Sequence, residues 1–395
     1  MSTEPVPEAS VAEAPVIEPV ETPTPFSRRP NAVGSPPRHY GNPLGEQREL
    51  AAGSAIVDLS DRAVVTVTGP DRLTWLDSLT SQSLAGLAAG ASAETLLLDP
   101  TGRLEHAIRV IDDGVTAWLL VDGAEGAPLA AWLERMRFML RVEVADRSAD
   151  YATFGTLAPV VELVETSPSQ IPAAAPNGIP LIWRDPWLDV APGGHQYAHP
   201  AQHPAAGWTY AEVLVHRADA AAVASLADVP AAGTLALEAL RIAAWRPRLS
   251  TEADEKTIPH ELDWLRSAVH LNKGCYRGQE TVAKVHNLGH PPRRLVMLHL
   301  DGSEGVLPGP GDPVLLPSAD DSAPTEVGRI TSAAIHHELG PIALAVIKRN
   351  VDPAADLVVA ADGAQVAAAQ EVIVPTDAGA EANVPRLPRL GAVRR

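Results

Sequence analysis

The segment Lys273-Gly274-Cys275-Tyr276-Arg277-Gly278-Gln279-Glu280 carries the one cysteine of a 395-residue chain. Gly274 and Gly278, four apart, permit a tight turn and a close approach of backbone to a ligand or to another strand. Lys273 and Arg277 bracket the thiol, and nearby positive charge favours the thiolate, the form that attacks or binds metal. The bias extends C-terminally: residues 273–294 hold five Lys or Arg against the single acid Glu280, a net of +4 in a chain whose net charge is −18. A basic island in an acidic body suits a small anion, for instance a cofactor with a carboxylate tail. A buried, inert cysteine whose glycines serve a turn is the alternative reading. A lone cysteine cannot assemble a four-thiolate cluster site, so it is at most one ligand, a transient thiol or a contact to a partner.

Outward from this segment, composition narrows the class. Hydrophobic residues make up 46% and charged ones 20%, as in a largely globular chain. At roughly 100–200 residues per domain there is room for two or three domains. The net charge argues against a nucleic-acid partner, whose binding surfaces are basic. The single cysteine leaves no intrachain disulfide and fits a reducing, cytoplasmic compartment. No apolar run approaches the ~20 residues of a membrane span, and the N-terminus lacks the basic and apolar regions of a signal peptide.

The pattern predicts an α+β chain. Residues 1–45, with ten prolines and an acidic start, read as a disordered tail. Residues 46–158 read as a first α+β unit. A strand at 65–68 leads into a helix after Asp71, strands follow at 94–98, 104–111 and 117–121, then an amphipathic helix at 129–139 and a strand at 142–144. Residues 159–178 read as an exposed, flexible loop. Residues 179–292 read as a second α+β unit with strands at 181–190 and 208–215 and helices at 220–226 and 235–244. Residues 293–376 hold only short strands separated by turns, the grammar of a small antiparallel barrel. Residues 377–395 read as a second tail.

Two further groups bear on chemistry. His195, His199 and His203 recur every four residues, but Gly193-Gly194, Pro200 and Pro204 argue for a solvated loop over a ligating helix. The charge-dense run 252–261, EADEKTIPHE, is either a surface loop or a source of pocket carboxylates. A carboxylate can accept two hydrogen bonds from an amino-pyrimidinone edge, the edge a pterin presents.

The octapeptide 273–280 resembles the signature of the YgfZ/GcvT-like folate-binding family, Lys-Gly-Cys-Tyr-x-Gly-Gln-Glu, at all seven specified positions. The stretch 63–71 (AVVTVTGPD), the hairpin with Thr101-Gly102-Arg103, the helix segment 238–241 and the loop 257–261 (TIPHE) resemble further family elements. This resemblance implies two mixed α+β domains around a central folate pocket and a C-terminal antiparallel β-barrel. It implies tetrahydrofolate or a derivative as cofactor and a role in iron–sulfur cluster assembly or repair through an essential Cys275. Iron–sulfur client or assembly proteins are the implied partners, with neither nucleic acid nor membrane. By match, Lys273 and Tyr276 join Cys275 at the reactive centre, and Gly274, Gly278, Gln279 and Glu280 form its shell. Arg241 and Glu261 become candidates for the folate pocket. Aminomethyl transferases of the family place paired acids after a hairpin; here only Glu105 stands there. Arg62 and Leu237 occupy places where some members carry tryptophan. A tetrahydrofolate-dependent C1 transferase and a non-enzymatic folate sensor or scaffold are the alternatives. No metal ligand set is implied.

Overall fold

Strand β2 (Ala63–Thr68) shows how the first layer forms: its β-branched run AVVTVT is buried almost throughout, as a central strand requires. In the computed structural model, which describes residues 23–157, 171–199, 203–226, 228–303, 305–318 and 323–382, it lies within a five-stranded sheet. Its other members are β3 (Ser92–Leu98), β4 (Leu104–Asp112), β5 (Thr116–Val121) and β6 (Glu143–Asp146), in the order β3-β4-β5-β2-β6, while β1 (Ile56–Asp58) belongs to a second sheet. All pairings are antiparallel. Helices Arg72–Leu79 and Gly126–Met136 cover one face, Trp75, Leu76, Leu129 and Leu133 packing on Val65, Ile108 and Leu119.

The opposite face contributes Val64, Leu96, Trp118 and Leu120 to a second core shared with Trp183, Trp187 and Trp264. A second sheet borders this core, in the order β10-β1-β7-β9-β8, with β7 at Tyr151–Leu157, β8 at Ile182–Arg184, β9 at Tyr210–His216 and β10 at Ala231–Ala232. Here the boundary expected at residue 158 is corrected. Strands β1 and β7 precede it in sequence, yet β1 pairs with β10 and β7 with β9. The two units therefore interleave, because the fully buried β7 finds its partner across a long connection.

The third unit is a closed barrel of β11 (Arg293–Leu300), β12 (Pro313–Leu316), β13 (Thr325–His336), β14 (Gly340–Lys348), β15 (Leu357–Ala361) and β16 (Ala364–Val372), ordered β11-β14-β13-β12-β15-β16. Its strands lie where the alternation of the sequence put them. Register shifts at Val314/Leu315 and Ile330/Ser332 supply the bends that closure needs.

Both expected tails need correction. Residues 1–22 and 383–395 lie outside the described residues, as do 158–170 of the expected loop, but the inner part of each tail is built into the fold. Phe26 is fully buried with its ring 5.2 Å from that of Phe154. Arg29 donates to the carbonyls of Ala224, Leu226 and Val229 at 2.8–3.0 Å. One aromatic and one guanidinium thus anchor a segment that its proline content marks as loose. At the other end Ala380, Glu381 and Ala382 donate backbone N–H groups to the carbonyls of Val285, His286 and Asn287. These carbonyls lie in the last turn of helix Gln279–Leu288, where acceptors lack intrahelical donors beyond the Gly289 N–H on Val285. Ala174, in the inner part of the expected loop, is likewise buried.

Removing the Phe26 ring leaves a cavity against Phe154. Phe26→Ala is expected to cost about 3–5 kcal/mol of stability, read from the urea midpoint; a change below about 1 kcal/mol would place the ring outside the core.

Candidate functional site

The octapeptide is held from three sides. Gly278 adopts φ +82° at the start of helix Gln279–Leu288, and a Cβ there would lie 2.7 Å from the Asp99 carbonyl oxygen and 3.0 Å from Gly102 Cα. Gly102, at φ +85°, would in turn bring a Cβ within 2.6 Å of Thr281 Cβ. The two glycines let the β3–β4 turn press directly on the octapeptide backbone. Gly274 meets no such neighbour within 4 Å, so only Gly278 has the close-approach role expected of both.

Lys273 provides the second hold. Its ammonium donates to the carbonyls of Asp77, Thr80 and Gln82 at 2.5, 2.9 and 2.7 Å, with the Asp77 carboxylate 3.3 Å away. Burial lowers its pKa, with Asp77 pulling the other way. The cation is therefore engaged by the end of helix Arg72–Leu79. Arg277 provides the third hold, a two-pronged pair with Glu105 while its guanidinium lies 5.6 Å over the Trp132 ring. Within this frame Cys275 is exposed and carries a free thiol. Tyr276 is buried beneath it, its hydroxyl pKa raised by that burial and its ring 5.4 Å from the Lys273 ammonium. Glu280 sits exposed in the helix's first turn, where its charge meets the positive end of the dipole.

The candidate folate pocket is a cavity of about 510 Å³ between the two sheets and helix Thr234–Ala243, a size ordinary for small-molecule sites. No octapeptide residue lines it. Tyr276 and Gln279 instead line a recess of about 190 Å³ with His286. Glu105 and Glu261 are also absent from the wall. Glu105 clamps Arg277, and Glu261, fully buried, takes Arg293 through both carboxylate oxygens at 3.0 and 2.8 Å. Arg241 does reach the wall, but its donors are taken by Glu238, Glu252, Ser332 and the Arg246 carbonyl. It therefore ties helix Thr234–Ala243 to strand β13 of the barrel.

The wall is built by residues that sequence reading passed over. Arg246 donates to Glu94 at 2.6 Å and Asp185 at 2.9 Å. Arg62 bridges Asp122 and Glu212, and Arg109 lies 3.3 Å from Glu212. Burial alone would raise the Asp122 carboxyl, but Arg62 and Arg109 outweigh it and hold it below the usual range. Two wall groups are left open. Asp61, exposed at the cavity rim, accepts no hydrogen bond from another described residue. Arg248 keeps its Nε without a partner and is one-third exposed, its only ion pair a 3.2 Å contact to Glu238. Arg62 and Leu237 both line the cavity, as does Arg241, and the family resemblance pointed to all three. Among the described residues no group of three or more His, Cys, Asp or Glu side chains converges to hold a metal, and no helix is long and apolar enough to cross a membrane.

His260 links the cavity side to the octapeptide helix. Its Nε2 donates to the Val282 carbonyl at 3.0 Å while Nδ1 is buried without a partner. A second proton would have no acceptor, and burial lowers the pKa to about 3. Asp263, buried beside it in sequence, is pushed up to about 7, with Tyr197 and Ala198 N–H groups opposing the shift.

No family model matches the chain. Over 252 residues it is 25% identical to the iron-sulfur cluster assembly factor IBA57 homolog, mitochondrial, of Mycosarcoma maydis, a match covering 60% of this chain and 55% of that protein. The chain thus spans about half the length of that relative. In structure it resembles the glycine cleavage system aminomethyltransferase T from Bartonella henselae, with a TM-score of 0.68 and 16% identity over 90% of this chain and 98% of the other. The fold is GcvT-like, α+β with a C-terminal antiparallel barrel.

Because folded His260 refuses a proton until about pH 3 while the unfolded ring takes one near 6.5, stability should fall as pH drops between those values. Asp263, protonated in the fold up to about 7, acts with the opposite sign from 3.8 upward. The histidine share is therefore read by difference. His260→Gln, which can still donate to Val282, should lose less stability than wild type on acidification, and equal slopes in urea titrations would refute this.

Proposed function

We propose that this chain, YgfZ/GcvT-like by fold and by sequence relationship, binds a reduced folate in its central cavity and serves iron–sulfur cluster assembly or repair through Cys275. The observation that carries the reading is the placement of the only thiol: exposed, unpaired and fixed on a backbone clamped by Lys273, Gly278 and Arg277. A structural cysteine would be buried in apolar contacts; a thiol that meets a partner must be accessible and rigidly presented. The resemblance of the octapeptide to the family signature and the printed name of the curated relative support the same role.

Folate suits the cavity on its open groups. Asp61, with no hydrogen bond from a neighbouring residue, would accept from the amino-pyrimidinone edge. Arg248, one-third exposed, would take the carboxylate tail through the open edge of its guanidinium. Trp208 and Trp264 supply apolar walls for the ring system. Bound tetrahydrofolate would supply a carrier for one-carbon units; the chain's own part is to orient it and keep its remaining wall charges paired. Aminomethyl transfer draws less support, because Glu105 is engaged by Arg277 and does not face the cavity. A reducing compartment such as the cytoplasm fits a thiol that must stay free.

Titration with tetrahydrofolate, followed by fluorescence of the wall tryptophans, is expected to saturate. Asp61→Asn should weaken binding about tenfold through loss of a charged acceptor. Cys275→Ser should bind folate as wild type does, yet fail to sustain iron–sulfur enzyme activities in cells under oxidative stress. Full activity of the serine variant would defeat the assignment.

A further inference from the structure

Helix Gly126–Met136 stops short of the expected residue 139, and the chain turns outward through Arg137-Phe138-Met139-Leu140-Arg141. Phe138 is 88% and Met139 86% exposed, well beyond any other large hydrophobic side chain among the described residues. Met136 and Leu140 extend the patch. A cluster of four exposed apolar side chains in six residues is a liability for solubility unless something covers it. The loop is also braced. Arg141 holds the Asp71 carboxylate through its backbone N–H and its guanidinium, Arg137 donates to the Val142 carbonyl at 3.2 Å, and Phe138 is kept at φ +39°, a region that bulky residues rarely enter. The apolar knob is preformed, which lowers the ordering cost of binding.

Its position relates it to the thiol. Trp132, one turn before Met136, lies under the Arg277 guanidinium of the octapeptide. Helix Arg72–Leu79, about 12 Å long by its eight residues, joins the same two places: Asp71 at its start binds Arg141, and carbonyls at its end hold Lys273. Charge selects the occupant. Residues 134–143 hold Arg135, Arg137 and Arg141 against Glu134 and the exposed Glu143, in a chain of net −18. Glu134 pairs with Arg137 and Asp71 with Arg141, while Arg135 has no partner among the described residues. A second copy docked symmetrically would set arginine against arginine. An anionic membrane would face the acidic body as well as the patch, whereas a protein partner meets the patch locally, within a screening length of about 8 Å.

We propose that residues 136–141 are a docking knob for a protein that presents an apolar recess rimmed by carboxylates, seating it beside Cys275. The docking stands on exposure, bracing and charge; only the purpose of the delivered partner rests on the iron–sulfur reading above.

The test uses the full chain in cells with Phe138 replaced by benzoylphenylalanine, Ile335 similarly replaced as an exposed control, and adducts identified by mass spectrometry. The expected result is an adduct at 138, and none at 335, to a protein of net negative charge. Its yield should fall about tenfold with Met139→Asp, and also with Arg135→Glu. Neither substitution should alter thermal stability or tetrahydrofolate titration. No adduct above the control, an adduct within the same chain, to a second copy or to lipid, or one indifferent to both substitutions would overturn the proposal. Cys275→Ser separates the two readings. An adduct that persists while this variant supports iron–sulfur enzymes normally removes the functional reading alone. A defective variant without any adduct removes the docking alone.

Discussion

The ammonium of Lys273, buried among three backbone carbonyls, is the interaction on which the site depends. Each of those carbonyls ends or follows helix Arg72–Leu79, where open acceptors would otherwise face a crowded interior. A single cation satisfies them and in doing so fixes the first residue of the octapeptide to the first sheet's helical layer. The turn 99–102 closes on Gly278 from the sheet itself, and Glu105 takes Arg277. Three attachments to one unit hold eight residues that the chain supplies from much later in sequence. The exposed sulfur is thus carried on a mount fixed by polar and steric attachments and by the Tyr276 ring buried in the main core.

The cavity follows a different economy of charge. Five arginines and six carboxylates contribute to its wall, and most are paired there or just behind it. Desolvating so many ions is tolerable because the buried ones find partners with hydrogen-bond geometry. Arg246 between Glu94 and Asp185, and Arg62 between Asp122 and Glu212, join the two sheets at the same time. The consequence for ligand recognition is subtraction. A guanidinium already satisfied, as in Arg241, has nothing left to offer a cofactor, whereas Asp61 and Arg248 keep capacity.

How much of this was legible in sequence depends on whether the determining contact is local. The barrel was read nearly strand for strand, because alternation and turn residues lie within each short segment. The interleaved sheets were not, since the partner of β7 is set by burial across a connection that no local period encodes. In the site, the octapeptide and the sole thiol were visible as residue types. The partners of its cations were not: nothing beside Lys273 in sequence shows that Asp77, Thr80 and Gln82 lie in reach. The inner tails failed for a similar reason. Proline content described the backbone's preference, while Phe26 and Arg29 decided the packing.

Strand β4 resolves how a cavity and a sulfur that share no wall can serve one protein. Alternate residues of a strand point to the same face, so Ala107 and Arg109 form one row, and the register shift opposite Leu97 and Leu98 makes Glu105 a bulge residue next along the strand. Ala107 and Arg109 line the cavity, and Glu105, about 7 Å further along by two residues of rise, grips Arg277. His106 on the other face takes Glu125, itself a cavity residue. Any ligand that repositions Arg109 or Glu125 therefore acts on the strand that also holds the octapeptide. Because β4 is paired on both sides, to β3 and β5, it moves as part of the sheet or not at all. A shift of that sheet would carry the hairpin 99–102 against Gly278, where backbone meets backbone without a side chain to absorb the motion.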